Sequence, residues 1–392
     1  MKRAVVGYSK MNQELVEQHL SEASFFFSSP SSTMMGVGKL AEFKQAINFS
    51  CLANEARKML EEAKTENQDN PVLFGVVPFD PLTPTRFVIP ETLYVSSSTR
   101  SQVTTEHQSS HATLISEKSS DTYMQGVETA LELFSASELS KVVLSRAIEV
   151  ATEDEIDKAQ FLKNLLSVNS KGYTFSADIG DNKKLMGASP ELLVAKKGTS
   201  LISNPLAGSR PKSSLDEENQ TLSLSLLNTA KDLHEHGLVV EEVERVMNRY
   251  CRSLYTPMVP SVIETNTMLH LSTLVEGQVD DPNISVLQVA SELHPTPAVC
   301  GYPRHNAYEA IRDIEEFDRG YFTGMVGWCD ARGNGEWVVT IRCAEVDQKR
   351  MKIFAGAGIV DESLPKSELD ETSAKMKTIL KAAGISLCDQ AS

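Results

Sequence analysis

Residues 323–346, TGMVGWCDARGNGEWVVTIRCAEV, hold two β-branched and aromatic runs around a polar turn. The Asn334-Gly335 step in that turn is a hairpin signal, and strand-like residues flank it on both sides. A third run, KIFAGAGIV at 352–360, follows after another short polar break. Strands joined this closely pair antiparallel. They argue against regular βαβ alternation and for an α+β fold, with large antiparallel sheets and helices packed outside. Upstream, KVVLSRAIEV (141–150) reads as one more strand, and YTFSADIG (173–180) and ELLVAKKG (191–198) as neighbouring strands joined by a turn. FFFSS (25–29) and VLFGVVPF (72–79) are apolar enough to belong to the same sheets, with a helical stretch near 50–65 between them.

Helical periodicity is clearest at the C-terminus. In SLPKSELDETSAK (363–375), Leu369 is followed by Met376, Ile379 and Leu380 at helical spacing. Glu368, Glu371 and Lys375 then share a face. KDLHEHGLV (231–239) repeats the motif with Asp232 and Glu235, and lies in a helix expected over roughly 216–253. That helix is expected to bury Leu226, Ala230, Leu233, Val240, Val243, Met247 and Tyr250. Two acid-x-x-acid stripes can hold a hard divalent cation such as Mg²⁺, which takes oxygen ligands and keeps several waters. Taken singly, each stripe reads better as a solvated acidic face. A further helix is expected from Asp121, behind Ser119 and Ser120 as caps, with Tyr123, Val127, Leu131 and Phe134 inward.

The 392 residues are 41% hydrophobic and 23% charged, enough for a large core. A formal net charge of −15 argues against nucleic-acid and anionic-membrane partners. The six cysteines form no C-x-x-C pair, the apolar part of MKRAVVGYSKMNQ is too short for a signal peptide, and no run reaches membrane-spanning length. A reduced, cytoplasmic protein is expected. The Ser/Thr-rich segment 96–120 reads as a surface loop or edge.

Four segments carry candidate chemistry. Lys141 opens an apolar strand, where burial would lower its pKa toward that of a general base; the plainer reading is a lysine that snorkels to water. Glu191 in GASPELLV (187–194) stands before an apolar strand, where a raised pKa would suit a general acid; in isolation the better reading is an ordinary strand-edge glutamate. Gly208 in SNPLAGSRP (203–211) lets backbone approach a ligand, or simply makes a turn. Arg342 alternates with apolar neighbours in VVTIRCAEV and needs a partner, either a ligand carboxylate or an internal acid. Gly356 and Gly358 leave space beside it. HPTPAVCGYPR (294–304) is a pocket wall or a rigid connector.

In order and wording, KVVLSR, GASPELL, SNPLAGS, KDLHEHGLV, HPTPAVCGYPR, residues 324–346, FAGAGIV and the E-x-x-E-x-x-x-K helix resemble the chorismate-utilising enzymes. Within that family they are most similar to the isochorismate synthases of catecholate siderophore pathways. The resemblance is strong over about 120–380 and looser at 25–38. It implies a single chorismate-binding domain over 1–392, with 1–120 completing the sheets and 121–385 as catalytic core. It also implies Mg²⁺, chorismate as the small-molecule partner, and weak association with downstream pathway enzymes. In this resemblance Lys141 is the base and Glu191 the acid. Glu235 and Glu371 match metal ligands, with Asp232 and Glu368 as outer carboxylates. Gly208, Arg342, Gly356 and Lys375 match substrate contacts, and Ala298, Val299, Phe322, Ile341 and Phe354 the ring pocket. Amine-adding relatives generally carry another residue where Lys141 stands, so water is the expected nucleophile. A salicylate synthase, a menaquinone-pathway isochorismate synthase and a non-catalytic binding protein on the same fold are the alternatives.

Overall fold

The computed structural model describes residues 7–10, 22–97, 110–117, 120–169 and 171–387. Two large sheets dominate it. The first runs Gly7–Lys10, Thr92–Ser97, Ser32–Val37, Ala23–Ser28, Tyr173–Gly180, Lys183–Ser189, Cys343–Val346, Arg350–Ile359, Lys141–Thr152, Ser110–Glu117, Ile385–Leu387. The second runs Cys251–Tyr255, Val275–Val279, Ser200–Asn204, Leu192–Lys197, Gly335–Val339, Met325–Asp330, Val72–Val77, Thr85–Ile89, Ala41–Gln45. Among the described pairs only Gly7–Lys10 with Thr92–Ser97 and Ile385–Leu387 with Ser110–Glu117 are parallel. The α+β architecture expected from the hairpins is the one observed.

The sheets face each other across a core that includes Phe25, Phe27, Phe74, Phe175, Val326, Val338 and Phe354. Phe25 stacks on Phe74 with ring centroids 4.4 Å apart. Burying each such side chain stabilises the fold by roughly 1.5–3 kcal/mol relative to leaving it exposed. Helices cover the outer faces. Leu52–Ala63, Val286–Leu293 and the end of Ala230–Met247 pack on the second sheet. Lys158–Val168 and Pro365–Ala382 pack on the first. A small sheet, Leu206–Pro211, Met268–Ser272 and Ser261–Glu264, lies beside the acid-bearing helices, with Asp216–Asn228 against it. Among the described residues no helix is long and apolar enough to cross a membrane.

Several local expectations are corrected. The segment 334–346 is not one strand: Gly335–Val339 belongs to the second sheet and Cys343–Val346 to the first. Arg342 therefore does not alternate within a strand; it sits in the crossover at φ 50. Likewise Tyr173–Gly180 pairs with Lys183–Ser189, a strand the apolar pattern did not signal, while Leu192–Lys197 lies in the other sheet. The two crossovers run side by side. Gly187 pairs with Cys343 before the kink and Leu192 with Val338 after it. Across the kink Ala188 N donates to Arg342 O (2.9 Å) and Val339 N to Glu191 O (3.2 Å). One two-stranded ribbon thus passes from sheet to sheet without losing its ladder.

The single helix expected over 216–253 is two, Asp216–Asn228 and Ala230–Met247, divided at Thr229 (ψ 120), and Cys251–Tyr255 is an edge strand. The second helix buries Asp232, Glu235, His236, Val239, Glu242, Val243, Val246 and Met247. Leu233 and Ala230 are exposed, and Val240 and Tyr250 only half-buried. The inward stripe begins with polar residues that find partners: Asp232 meets Arg210, His236 meets Thr273, and Glu235 faces the cleft. Within 96–120, Ser110–Glu117 is a strand rather than a loop, and 98–109 and 118–119 lie outside the described residues. The next helix begins at Ser120, with Tyr123 and Val127 buried as expected.

Candidate active site

The ribbon crossover, the two acid helices, the small sheet and the 294–304 loop border one cleft. Its walls include Glu191, Gly208, Glu235, Ala298, Val299, Phe322, Ile341, Arg342, Phe354, Gly356, Glu371 and Lys375. Twelve of the residues singled out, spread from Glu191 to Lys375, thus meet around one space. Lys141, Asp232 and Glu368 do not line it. The 294–304 loop is a pocket wall.

Glu191 sits between Ser189 and Leu192, where the chain leaves one sheet for the other, and is 3% exposed. Burial pushes its pKa up to about 7, although the Leu206 N–H and the charges of Lys141, Lys375 and Arg342 pull the other way. It therefore keeps a proton near neutrality, which an exposed glutamate does not. Arg342 is also buried, and burial lowers its pKa to about 10 against the attraction of Glu371 and Glu191. Among the described residues its guanidinium forms no salt bridge; its side-chain partner is His270 Nε2 at 3.3 Å. Burial, then Arg342 and Lys375, hold His270 well below the usual histidine range, so it is neutral. Phe322 and Phe354 stack at 5.0 Å with planes 9° apart, forming an apolar wall.

Lys141 is fully buried, so it does not snorkel. Its Nζ lies 3.0 Å from Glu235 Oε1, a charge contact without an aligned hydrogen bond. A Cβ on Gly358 would meet Glu235 Oε1 at 2.2 Å and Lys141 Cε at 3.1 Å, so glycine there makes room for the pair. Gly208, at φ 74, bulges the small sheet's edge strand toward Asp232.

The other carboxylates also carry cations. Arg210 holds Asp232 through Nη1 (3.0 Å) and Nη2 (2.5 Å). Lys231 on one acid helix reaches Glu368 on the other at 3.0 Å. Glu371 accepts from Lys375 (2.6 Å) and Ser209 Oγ (2.9 Å). Burial alone would raise Glu371, but Lys375 and Ser209 outweigh it and hold the carboxyl below the usual range. Asp232 and Glu368 are instead raised, by burial first and also by Glu235 and Glu371 respectively.

The donor set bears on a metal. Among the described residues no three His, Cys, Asp or Glu side chains gather closely enough to form a cage. Glu235 and Glu371 nevertheless face the same cleft from different helices. Two hard carboxylates completed by water and ligand oxygens are the donor set that Mg²⁺ accepts. The residues fit a metal whose coordination a ligand completes.

Ser209, His270, Thr323 and Pro190 line the cleft without having been singled out. His270 carried a faint signal, a polar residue inside the apolar strand MLHLS. Ser209 and Thr323 carried none.

A fold of two facing antiparallel sheets, with an acid, a buried arginine and two carboxylate-bearing helices around one cleft, defines a class. The family model described as chorismate binding enzyme matches residues 91–384, and the chain belongs to that family. It is 66% identical over 389 residues to the vibriobactin-specific isochorismate synthase of Vibrio cholerae, covering 99% of this chain and 98% of that one. It is 43% identical over 373 residues to the isochorismate synthase DhbC of Bacillus subtilis, covering 92% and 94%. The crystal structure of DhbC from Bacillus anthracis superposes with a TM-score of 0.88 at 43% identity, covering 95% and 99%.

Proposed function

We propose that this chain is an isochorismate synthase serving a catechol siderophore pathway, acting in the cytoplasm on chorismate. The observation that carries the reading is Glu191, a buried carboxyl that holds its proton to about pH 7 in the cleft it shares with Arg342. Water adds at ring C2, the C4 hydroxyl leaves as water, and the net change is an isomerisation. Glu191 gives its proton to the departing hydroxyl oxygen. Lys141, once Glu235 turns from it, takes the proton of the attacking water. Arg342, buried and without a salt bridge among the described residues, receives one substrate carboxylate through its planar fork. Phe322, Phe354, Ala298 and Val299 hold the ring and exclude bulk water.

Glu235 and Glu371 would hold Mg²⁺, with Asp232 and Glu368 orienting its waters. When bound, the ion supplies positive charge against the ring carboxylate. Lys375, which donates to Gly356 O at 2.8 Å, keeps the Glu371 side of the cleft in place.

The test is incubation with chorismate, with and without EDTA, read by chromatography and by a pyruvate-coupled signal. Isochorismate formed only with metal, with little pyruvate, is expected. Stoichiometric pyruvate and salicylate would move the protein to the salicylate synthases, and undiminished turnover after chelation would remove the metal role. The strands at 22–97 contribute to both sheets, which supports the proposal that 1–120 does not fold alone. A stable, soluble fragment 1–95 would overturn that.

A further inference from the structure

Behind the cleft, outside the residues given roles above, lies a buried ion pair. Arg319 and Glu315 have side chains 3% and 4% exposed. Arginine carries five N–H donors in a rigid fork, and five hydrogen bonds leave this one. Nε donates to Glu315 Oε2 (2.8 Å) and Nη2 to Glu315 Oε1 (2.5 Å). Nη2 also donates to Val143 O (2.7 Å), and Nη1 to Val299 O (2.9 Å) and Thr323 Oγ1 (3.2 Å). Glu315 Oε1 then accepts from Ser145 N at 2.7 Å.

Val143, Val299 and Thr323 all line the cleft, and they come from three segments. Val143 is two residues from Lys141 on the same face of its strand. Val299 is in the 294–304 wall, and Thr323 follows Phe322. The pair therefore ties the strand of the base to both walls of the ring pocket. The guanidinium also lies 4.5 Å over the ring of Phe79, two residues beyond the strand Val72–Val77.

We infer that Arg319, fixed by Glu315, is a positioning residue that sets the spacing between the Lys141 strand and the ring pocket. It touches no reacting atom. It acts by holding three backbone segments at one separation, and a shift of about 1 Å in such a separation can cost roughly 10²-fold in rate. A lysine offers three donors on a single nitrogen and cannot span the same acceptors. The inference rests on the proposed reaction, so wild-type turnover of chorismate is measured first. Its absence would count against that reading and not against this one.

The experiment compares Arg319→Lys and Glu315→Gln with wild type for kcat, chorismate KM and pH profile, each corrected for the folded fraction by circular dichroism. Arg319→Lys is expected to lower kcat per folded molecule about 10²-fold and to raise KM far less. The pH profile should keep its shape, because the proton-transfer groups are untouched. Glu315→Gln keeps the acceptor for Ser145 N–H and is expected to lose about tenfold, within the same misplacement argument. It serves as the deciding variant should Arg319→Lys not fold. A purely structural pair would lower the folded fraction while leaving kcat per folded molecule within about threefold of wild type, well inside the predicted loss. That result, in whichever variants fold, overturns the proposal.

Discussion

The helix Pro365–Ala382 and the paired crossovers at 189–192 and 339–343 deliver side chains to the same cleft by opposite means. On the helix, Glu371 and Lys375 arrive by regular period, four residues apart on one face. At the crossovers, Glu191 and Arg342 arrive where strand periodicity stops, Arg342 at φ 50. The helix offers carboxylates already paired with lysine or serine. The crossovers offer a carboxyl held protonated to about pH 7 and an arginine with no salt bridge among the described residues. Regular structure carries the charges that a metal can organise. The break between sheets carries the groups that must be desolvated to react.

If that division is right, the largest effects on chemistry belong to the crossover acid and its basic counterpart. Glu191→Gln and Lys141→Ala are expected to lower kcat by about 10²–10⁴-fold each, with chorismate still bound in a calorimetric titration. Glu191→Gln should lose the reverse reaction equally. Near-wild-type turnover by Glu191→Gln would break the comparison, and by Lys141→Ala would remove that lysine as the base.

The helices are probed by metal titration. Glu235→Gln and Glu371→Gln are expected to weaken Mg²⁺ by more than the roughly 10–100-fold typical of outer-shell changes, with kcat recovered in part at saturating metal. Asp232→Asn and Glu368→Gln should fall within that range or below it, since Arg210 and Lys231 already hold those carboxylates. The reverse ranking would exchange direct and outer ligands.

A third measurement separates the regions by stability. The folded chain holds the Glu191 proton up to about pH 7, whereas an unperturbed glutamate has a pKa of 4.5. Between those values the folded state binds more protons than the unfolded one. This group's contribution is therefore full below about pH 4.5 and falls as pH rises, by about 3 kcal/mol once pH exceeds 7. Denaturant unfolding across that window should find this slope in wild type and not in Glu191→Gln. Equal slopes would mean that Glu191 is not desolvated. Smallest is Arg342→Lys, expected to raise chorismate KM about tenfold by replacing a planar fork with a point charge, at a cost of about 1–2 kcal/mol. An unchanged KM would remove Arg342 as the carboxylate clamp.

The same contrast governs what could be read in advance. The C-terminal helix was legible because its apolar residues and acids repeat with one period, and Leu369, Met376 and Ile379 are buried as that period requires. The helix at 230–247 was legible as a helix, and Asp232, Glu235, Val243 and Met247 are buried in it, but the rest of its inward face was not legible. Apolar counting favoured Leu233 and Val240, while the folded helix buries Asp232, Glu235 and His236, of which Glu235 lines the cleft. The break at Thr229 has no proline or glycine to announce it.

By itself the sequence determined the α+β class, through hairpin turns between β-branched runs, and the chemical inventory of the site, through motif strings that resemble one family. Both are local properties, fixed by turn chemistry and side-chain type. Only the tertiary structure decided that the ribbon of 183–197 and 335–346 changes sheets, that Lys141 lies behind Glu235, and that Arg319 bonds to three cleft walls. Those depend on contacts between residues far apart in the chain. The desolvation that sets the Glu191 proton and the spacing of those walls arises only when the two sheets and their helices close together.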